Sequence, residues 1–326
     1  VVAAVLQDES GRFLLSQRPE GKVRAGEWEF PGGKLLQGES SHEGLCRELQ
    51  EELGIEVLAA EHLHSFTHHY PDLTIRLHVA RVLRWRHAPR AREQQHLDWF
   101  DAGVLPQSPL SAADAGIARL LQLPPLLYIT PAVADSKQQQ QLLASVDKAL
   151  QLGAGLVYLR QPLLQPEQSL PLLQQISARC HQRAAGIVCN SELIALSQRQ
   201  NSKLAVDGRH LRAAELSAAG CDDDLSDWRR QHPQALLGAS CHDRNELRQA
   251  QQAGCDYALL GAVKPSASHP GRAALGWRQL QTLSETTAMP LYACGGLQPA
   301  DLDQARAHGA YGIAGIRGFA ASTSRW

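Results

Sequence analysis

The sequence predicts an α/β protein in two parts, a mixed-sheet unit followed by a (β/α)8 barrel. Three observations predict it. The chain has 326 residues, enough for two units that each bury a core. From Leu126 onward eight short apolar segments alternate with helix-compatible stretches, the rhythm of a parallel barrel. Up to Gln122 the rhythm differs, and Leu123, Pro124 and Pro125 mark the boundary. The expected limits are 1–123 for the first unit and 126–326 for the second.

The opening residues, VVAAVL, read as a buried strand, and the lack of an initiating Met reads as a trimmed start. The turn from Asp8 to Gly11 fits a hairpin joining this strand to RFLLSQR. Helical character runs from about Ser41 to Leu53, opened by a Ser and closed by Gly54 at a C-cap position. Strands are expected at 62–68, 73–84 and 97–100, then a short helix at 112–122. The barrel strands are expected at 126–130, 156–160, 186–190, 204–208, 236–240, 257–263, 291–296 and 312–316, with an acidic loop between Cys221 and Asp224.

Composition narrows the function. With Lys+Arg 32 against Asp+Glu 33 the net charge is −1, so there is no bulk electrostatic case for polymeric nucleic acid. A free nucleotide is the more natural partner. Seven scattered cysteines, odd in number and without a C-x-x-C pair, point to a reducing cytoplasm and away from a disulfide framework or zinc site. No apolar run approaches the roughly 18 residues of a membrane span, and no signal-peptide architecture is present, so a cytoplasmic location without a membrane partner is expected.

The chemistry concentrates in the stretch from Gly33 to Ile55, GKLLQGESSHEGLCRELQEELGI. On a helix Glu48, Glu51 and Glu52 stand at i, i+3 and i+4, which gathers three carboxylates on one face. They repel one another unless a cation sits among them, and oxygen ligands suit Mg2+ or Mn2+. Such an ion neutralises diphosphate charge and lowers the pKa of an attacking water. Arg47 can pair with Glu51 or with Glu39, which would orient the acids. Gly32 and Gly33 let the backbone approach phosphate or lend a carbonyl to the metal. The plain alternative is a solvated acidic face; the upstream EFPGGK and the placing of Arg and Gly argue against it.

The same stretch fits G-x5-E-x7-R-E-U-x-E-E-x-G-U (U aliphatic) at Gly33, Glu39, Arg47, Glu48, Leu49, Glu51, Glu52, Gly54 and Ile55, and so resembles the Nudix hydrolases. The resemblance implies an α/β/α sandwich around a mixed sheet and metal-dependent cleavage of a diphosphate linked to another moiety. Through WEFPGGK (28–34), the spacing from Arg18 to Phe30, and EQQHLDWF (93–100), the unit looks closest to the MutT-type 8-oxo-dGTP diphosphatases. That implies hydrolysis of 8-oxo-dGTP to 8-oxo-dGMP and diphosphate, a nucleotide-pool sanitation role. It further implies Mg2+ held by Glu48, Glu52, Glu93 and the Gly32 carbonyl, with Glu48 or Glu93 helping to deprotonate water. Arg18 would contact the nucleotide, and Glu29, Phe30, Pro31 and Gly32 would line the base and metal pocket. Without the family, Glu93 and Arg18 read as solvated surface residues and Phe30 equally as core. One departure stands out: the family's F-P-x-A-N-x-P is LSAADAGI (110–117) here, with Asp114 where Asn is expected. An ionised Asp accepts the N7–H of 8-oxoguanine but cannot donate to O6; Asp114 equally fits a helix start.

The second unit resembles thiamine phosphate synthase and its TenI-like relatives through YITP (128–131), LVYLR (156–160), GASCH (238–242), GAVKPSASHPG (261–271) and CGGL (294–297). The resemblance implies a phosphorylated thiazole or thiamine-like ligand. Three departures bear on activity. The synthase's Q-x-R-x-K run becomes Tyr158, Arg160 and Pro162; its Asn-Asp pair becomes Asn190 and Ser191, removing an expected magnesium carboxylate; and the TenI-type His is Ala262. Arg160, Asn190, Ser240, Gly295, Gly296 and Arg317 are the candidate phosphate ligands, with Lys264, Ser266, Ser268 and His269 as a lid. The glycines equally serve tight turns, and the lid equally reads as an exposed polar loop. Left open are a thiamine-pathway or other nucleotide diphosphate as substrate, and a barrel that is a residual enzyme, a phosphate-ligand sensor or a dimerisation scaffold.

Overall fold

The computed structural model describes residues 1–101, 109–199, 206–219, 223–265 and 273–320. The chain divides into two compact units, Val1–Gln122 and Leu123–Trp326.

The first unit runs β1 (Val2–Leu6), β2 (Phe13–Gln17), β3 (Trp28–Glu29), α1 (Ser41–Glu52), β4 (Glu56–His69), β5 (Thr74–Arg86), β6 (His96–Phe100) and α2 (Ala112–Leu120). Its strands form two three-stranded sheets, ordered β1-β5-β4 and β3-β2-β6. The first is mixed, with β1 parallel to β5 and β4 antiparallel to it. The second is antiparallel. Leu45, Leu49 and Leu53 repeat at helical spacing and pack α1 against Val2, Ala4 and Leu6 of β1. This seats the acidic face of α1 beside the 31–33 backbone, because Ala4 N–H donates to the Pro31 carbonyl (2.7 Å) and Val2 N–H to the Gly33 carbonyl (2.8 Å).

The expected hairpin of β1 with β2 does not form. The turn is present, with Arg12 carbonyl accepting from Asp8 N–H at 2.9 Å, but only the bridge between Gln7 and Phe13 continues it. Every residue of β1 is buried, so both faces need cover, and the strand gets it by joining β5 while β2 leaves for the other sheet.

In the second unit eight parallel strands close in the order β10-β11-β12-β13-β14-β7-β8-β9. They are β7 (Leu126–Ile129), β8 (Leu156–Leu159), β9 (Gly186–Cys189), β10 (Gly208–Leu211), β11 (Leu236–Cys241), β12 (Tyr257–Gly261), β13 (Leu291–Cys294) and β14 (Gly312–Gly315). Around them lie α3 (Ser136–Gln151), α4 (Pro166–His181), α5 (Ser191–Arg199), α6 (Ala213–Ala219), α7 (Asp223–Gln231), α8 (Arg244–Gln252), α9 (Gly276–Ser284), α10 (Leu302–Ala307) and α11 (Arg317–Ala320). The (β/α)8 expectation is met.

One strand is displaced: β10 begins at Gly208, where the expected strand 204–208 ends, and 204–205 lie outside the described residues. Gly208 allows the close approach of β11, since a Cβ there would sit 2.2 Å from the Leu236 carbonyl oxygen. The polar-looking segment GRHL is a strand because His210 turns into the barrel and is fully buried. There it packs at a tilt against Tyr158, with ring centroids 4.1 Å apart, and bonds Tyr257 Oη (3.1 Å) and Ser240 Oγ (3.0 Å). Burial, reinforced by the Arg160 charge, holds its pKa down at about 3, so the ring is neutral.

Candidate active site

Helix α1 is tightly specified at both ends. Ser40 caps it in a reciprocal box, accepting from Glu43 N–H while the Glu43 carboxylate accepts from Ser40 N–H at 2.9 Å. Gly54, at φ +68°, ends it in the left-handed conformation. Arg47 pairs with both of its candidate partners. Its Nε and Nη2 donate to the two oxygens of Glu39 at 2.8 and 2.9 Å, and Nη1 reaches Glu48 and Glu51 at 3.0 Å each. These bonds to Arg47 hold the Glu39 carboxyl down at about 2 and raise the guanidinium pKa further.

Glu52 differs from its neighbours. Burial pushes its pKa up to about 8; the Gly32 N–H, donating to Oε2 at 3.0 Å, opposes the rise, and the charges of Glu29, Glu48 and Glu93 add to it. The close fit of backbone to acid explains both glycines. A Cβ on Gly32 would meet the Val2 carbonyl oxygen at 2.2 Å, and one on Gly33 would meet the Glu48 carboxylate at 2.4 Å. Among the described residues the Gly32 carbonyl has no chain donor, whereas those of Pro31 and Gly33 are taken by β1.

This donor set fits a hard divalent cation. A half-buried carboxylate crowded by three others is the arrangement that a positive ion relieves, and carboxylate and carbonyl oxygens are the ligands Mg2+ prefers. Among the described residues no three acids, histidines or cysteines already converge on one point. Two of the acids are turned to the chain's own cations: Glu48 to Arg47, and Glu93 to Lys22 at 3.1 Å. Glu93 nonetheless comes from a loop stitched to the end of α1. Gln95, which sequence reasoning missed, donates to the Glu52 carbonyl (2.9 Å) and accepts from Glu93 N–H (2.7 Å).

The nucleotide-side candidates also find partners. Arg18 donates to Glu29 Oε2 at 2.7 Å and to the Val23 carbonyl at 2.7 Å. Phe30 is buried, and its N–H donates to Asp114 Oδ1 at 2.9 Å. Asp114 is the third residue of α2, and its other oxygen accepts from the hydroxyl of the cap residue Ser111. Burial pushes the Asp114 pKa up to about 7, against the pull of Ser111 and Phe30 N–H. An Asp held there is partly protonated near neutrality and can donate as well as accept.

At the barrel, several phosphate candidates have structural employment. Asn190 caps α5, accepting from Leu193 N–H at 3.0 Å, and Ser240 bonds His210. Gly295 and Gly296 turn the chain after β13 at φ +89° and +67°, and a Cβ on Gly295 would meet Ala262 at 2.4 Å. Arg317 opens α11, and Arg160 lies exposed just beyond β8. Lys264 is tied to Asp301 at 2.9 Å; Ser266, Ser268 and His269 lie outside the described residues. No helix of the described residues is long and apolar enough to cross a membrane.

Comparison with known proteins agrees with both halves. Residues 1–120 match the NUDIX domain family, and residues 126–319 match the family described as thiamine monophosphate synthase. The first unit is similar to a CTP pyrophosphohydrolase of Escherichia coli (strain K12), 40% identical over 114 residues, which are 35% of this chain and 84% of the relative. It is also similar to an 8-oxo-dGTP diphosphatase of Haemophilus influenzae, 36% identical over 121 residues, 37% of this chain and 89% of the relative. The second is similar to a putative thiamine-phosphate synthase 2 of Aquifex aeolicus, 28% identical over 201 residues, 61% of this chain and 99% of the relative. The chain therefore belongs to the Nudix hydrolases through its first unit and to the thiamine monophosphate synthase family through its second.

Proposed function

We propose that the first unit is a Mg2+-dependent nucleoside triphosphate pyrophosphohydrolase, with 8-oxo-dGTP as substrate and 8-oxo-dGMP and diphosphate as products. The observation that carries the reading is the half-buried Glu52, crowded by Glu29, Glu48 and Glu93 and hydrogen-bonded to Gly32 N–H. Glu48, Glu52, Glu93 and the Gly32 carbonyl would hold the metal, which when bound neutralises phosphate charge and acidifies water. Arg47 fixes the rotamer of Glu48. Glu48, through the oxygen that Arg47 leaves free, or Glu93, once free of Lys22, would accept the proton of the attacking water.

Asp114 supports an oxidised purine. A carboxyl with a pKa of about 7 supplies both a donor for O6 and an acceptor for N7–H, the pair that an Asn would offer. Cytosine presents a similar pair, its N4 amino donor beside the N3 acceptor. A pyrimidine triphosphate is therefore the second reading, favoured by the 40% identity to a CTP pyrophosphohydrolase. Steady-state hydrolysis of 8-oxo-dGTP, dGTP and CTP with Mg2+ separates them. A preference for 8-oxo-dGTP above about tenfold, ~1.4 kcal/mol of transition-state binding, supports pool sanitation. Faster CTP turnover selects the second reading; inactivity on all three moves the substrate to another diphosphate, a thiamine-type one first.

A further inference from the structure

The loop that joins β2 to β3 is a closed arch with a lysine near its crown. At its feet Arg18 N–H donates to the Glu27 carbonyl and Gly26 N–H to the Arg18 carbonyl, each at 3.0 Å. Arg18 also ties the arch from within, through its bond to the Val23 carbonyl, and Arg24 lies over the Tyr70 ring at 3.8 Å from its centroid. Lys22 is part of the same frame, because its carbonyl accepts from Ala25 N–H at 3.2 Å. Its side chain leaves the loop and crosses to the acids, where Nζ meets Glu93 Oε2 at 3.1 Å, 71 positions away in sequence.

Two features make this ion pair exchangeable. The side chains are 58% and 45% exposed, and a single lysine–carboxylate pair so open to water holds weakly. The backbone beneath Glu93 is fixed by other means: Gln95 accepts from Glu93 N–H at 2.7 Å and donates to the Glu52 carbonyl at 2.9 Å, and Arg92 N–H donates to that same carbonyl at 3.1 Å. The Glu93 carboxylate can therefore turn from the lysine to a metal ion shared with Glu52 while its loop stays in place. The arch that carries Lys22 is likewise closed without help from Glu93, so the freed ammonium stays at the edge of the same site.

We infer that Lys22 is a phosphate-binding residue of the hydrolase site, paired with Glu93 in the metal-free chain and released to the terminal phosphates of the substrate when Glu93 turns to the metal. The inference rests on the hydrolase reading given above. An ammonium on a flexible stem suits the exchange: it is a point charge that can follow a phosphate oxygen without the fixed fork of a guanidinium. Charge stays matched on both sides, since the carboxylate goes to the ion as the lysine goes to the phosphate.

The test uses the full chain, with Mn2+ and inorganic triphosphate as probes. Lys22→Met removes the competitor for Glu93, so electron paramagnetic resonance should show Mn2+ bound about two- to fivefold more tightly than by the native chain. In a Glu93→Gln background the same substitution should change nothing. Triphosphate should respond with the opposite sign: calorimetry at saturating Mg2+ should show binding weakened about tenfold by Lys22→Met and kept near native by Lys22→Arg. Binding that survives Glu52→Gln is subtracted, which removes any share taken by the barrel. A merely structural role for Lys22 would weaken both ligands together. Mn2+ affinity that is unchanged or lowered by Lys22→Met, or triphosphate affinity that is unchanged, overturns the inference; if Glu52→Gln still abolishes Mn2+ binding, the hydrolase reading stands. Mn2+ affinity indifferent to Glu52→Gln overturns that reading, and the inference with it.

Discussion

Phe30 and Asp114, 84 positions apart, are joined by a 2.9 Å hydrogen bond from the backbone N–H of the first to the buried carboxyl of the second. The bond ties the loop that leads into Gly32 to the first turn of α2. It also makes one acid answer two demands, bonding the cap residue Ser111 and holding the Phe30 backbone.

That acid should make stability fall with pH. Its folded pKa of about 7 lies above the ordinary 3.8, so the folded chain holds a proton that the unfolded chain has lost between those values. The contribution is whole below about 3.8 and is lost as pH rises through about 7. Asp114→Asn keeps one acceptor for Phe30 N–H and one donor for Ser111 without ionising. Thermal melts should show a smaller drop between mildly acidic and mildly basic buffer than the native chain does; an unchanged drop would place the titration elsewhere.

Glu52→Gln should separate folding from turnover. The variant removes a charge buried among like charges, so at basic pH the metal-free protein should melt higher, by on the order of a few kcal/mol at most. Turnover with Mg2+ should fall at least about a hundredfold, the scale seen when one stabiliser of transition-state charge is lost. Near-normal turnover would remove Glu52 from the metal site.

Arg47→Lys keeps the charge and loses the fork. Lysine cannot hold both oxygens of Glu39 while reaching Glu48 and Glu51, which Arg47 does with three nitrogens. Chemical denaturation should register a lower midpoint, and kcat should drop with little change in KM, because Glu48 is loosened rather than removed. A variant with native kcat would show that the orientation of Glu48 is set by something else.

Gly32→Ala should be among the most damaging single changes in the first unit. Its Cβ would lie 2.2 Å from the Val2 carbonyl oxygen, on a backbone at φ +152°. Since backbone on both sides must shift, a loss of about 2–4 kcal/mol is expected, together with weaker Mg2+ stabilisation in melts. Native-like melting with and without Mg2+ would contradict the strain.

What was legible in the sequence was what local spacing controls. Helical geometry alone brings Glu48, Glu51 and Glu52 together and puts Arg47 within reach of Glu51, and a Gly after an apolar helix face marks its end. Partners distant in sequence left weaker traces. The pairing of β1 with β5 crosses most of the unit, so a good turn at Asp8 to Gly11 suggested a hairpin that tertiary packing overrode. Gln95 sits in the polar run EQQH, and hydropathy gives no sign that it is buried and bonded at both ends of its amide. His210 was hidden for the opposite reason: a strand whose inward residue is a neutral histidine does not read as apolar. The proton on Asp114 was illegible because ionisation depends on burial, which a helix-start pattern does not reveal.

The tyrosines at the closed end of the barrel bear on how such a fusion can be cut. Tyr292 Oη donates to the Pro124 carbonyl at 2.5 Å, and Tyr311 Oη donates to the Leu123 carbonyl. Both acceptors lie upstream of β7, in residues that look like spacer. A gene fragment meant to yield the barrel by itself must therefore start before Leu123: begun at Leu126, it would strand two buried phenols, a defect that would surface as insoluble expression and be mistaken for dependence on the missing half.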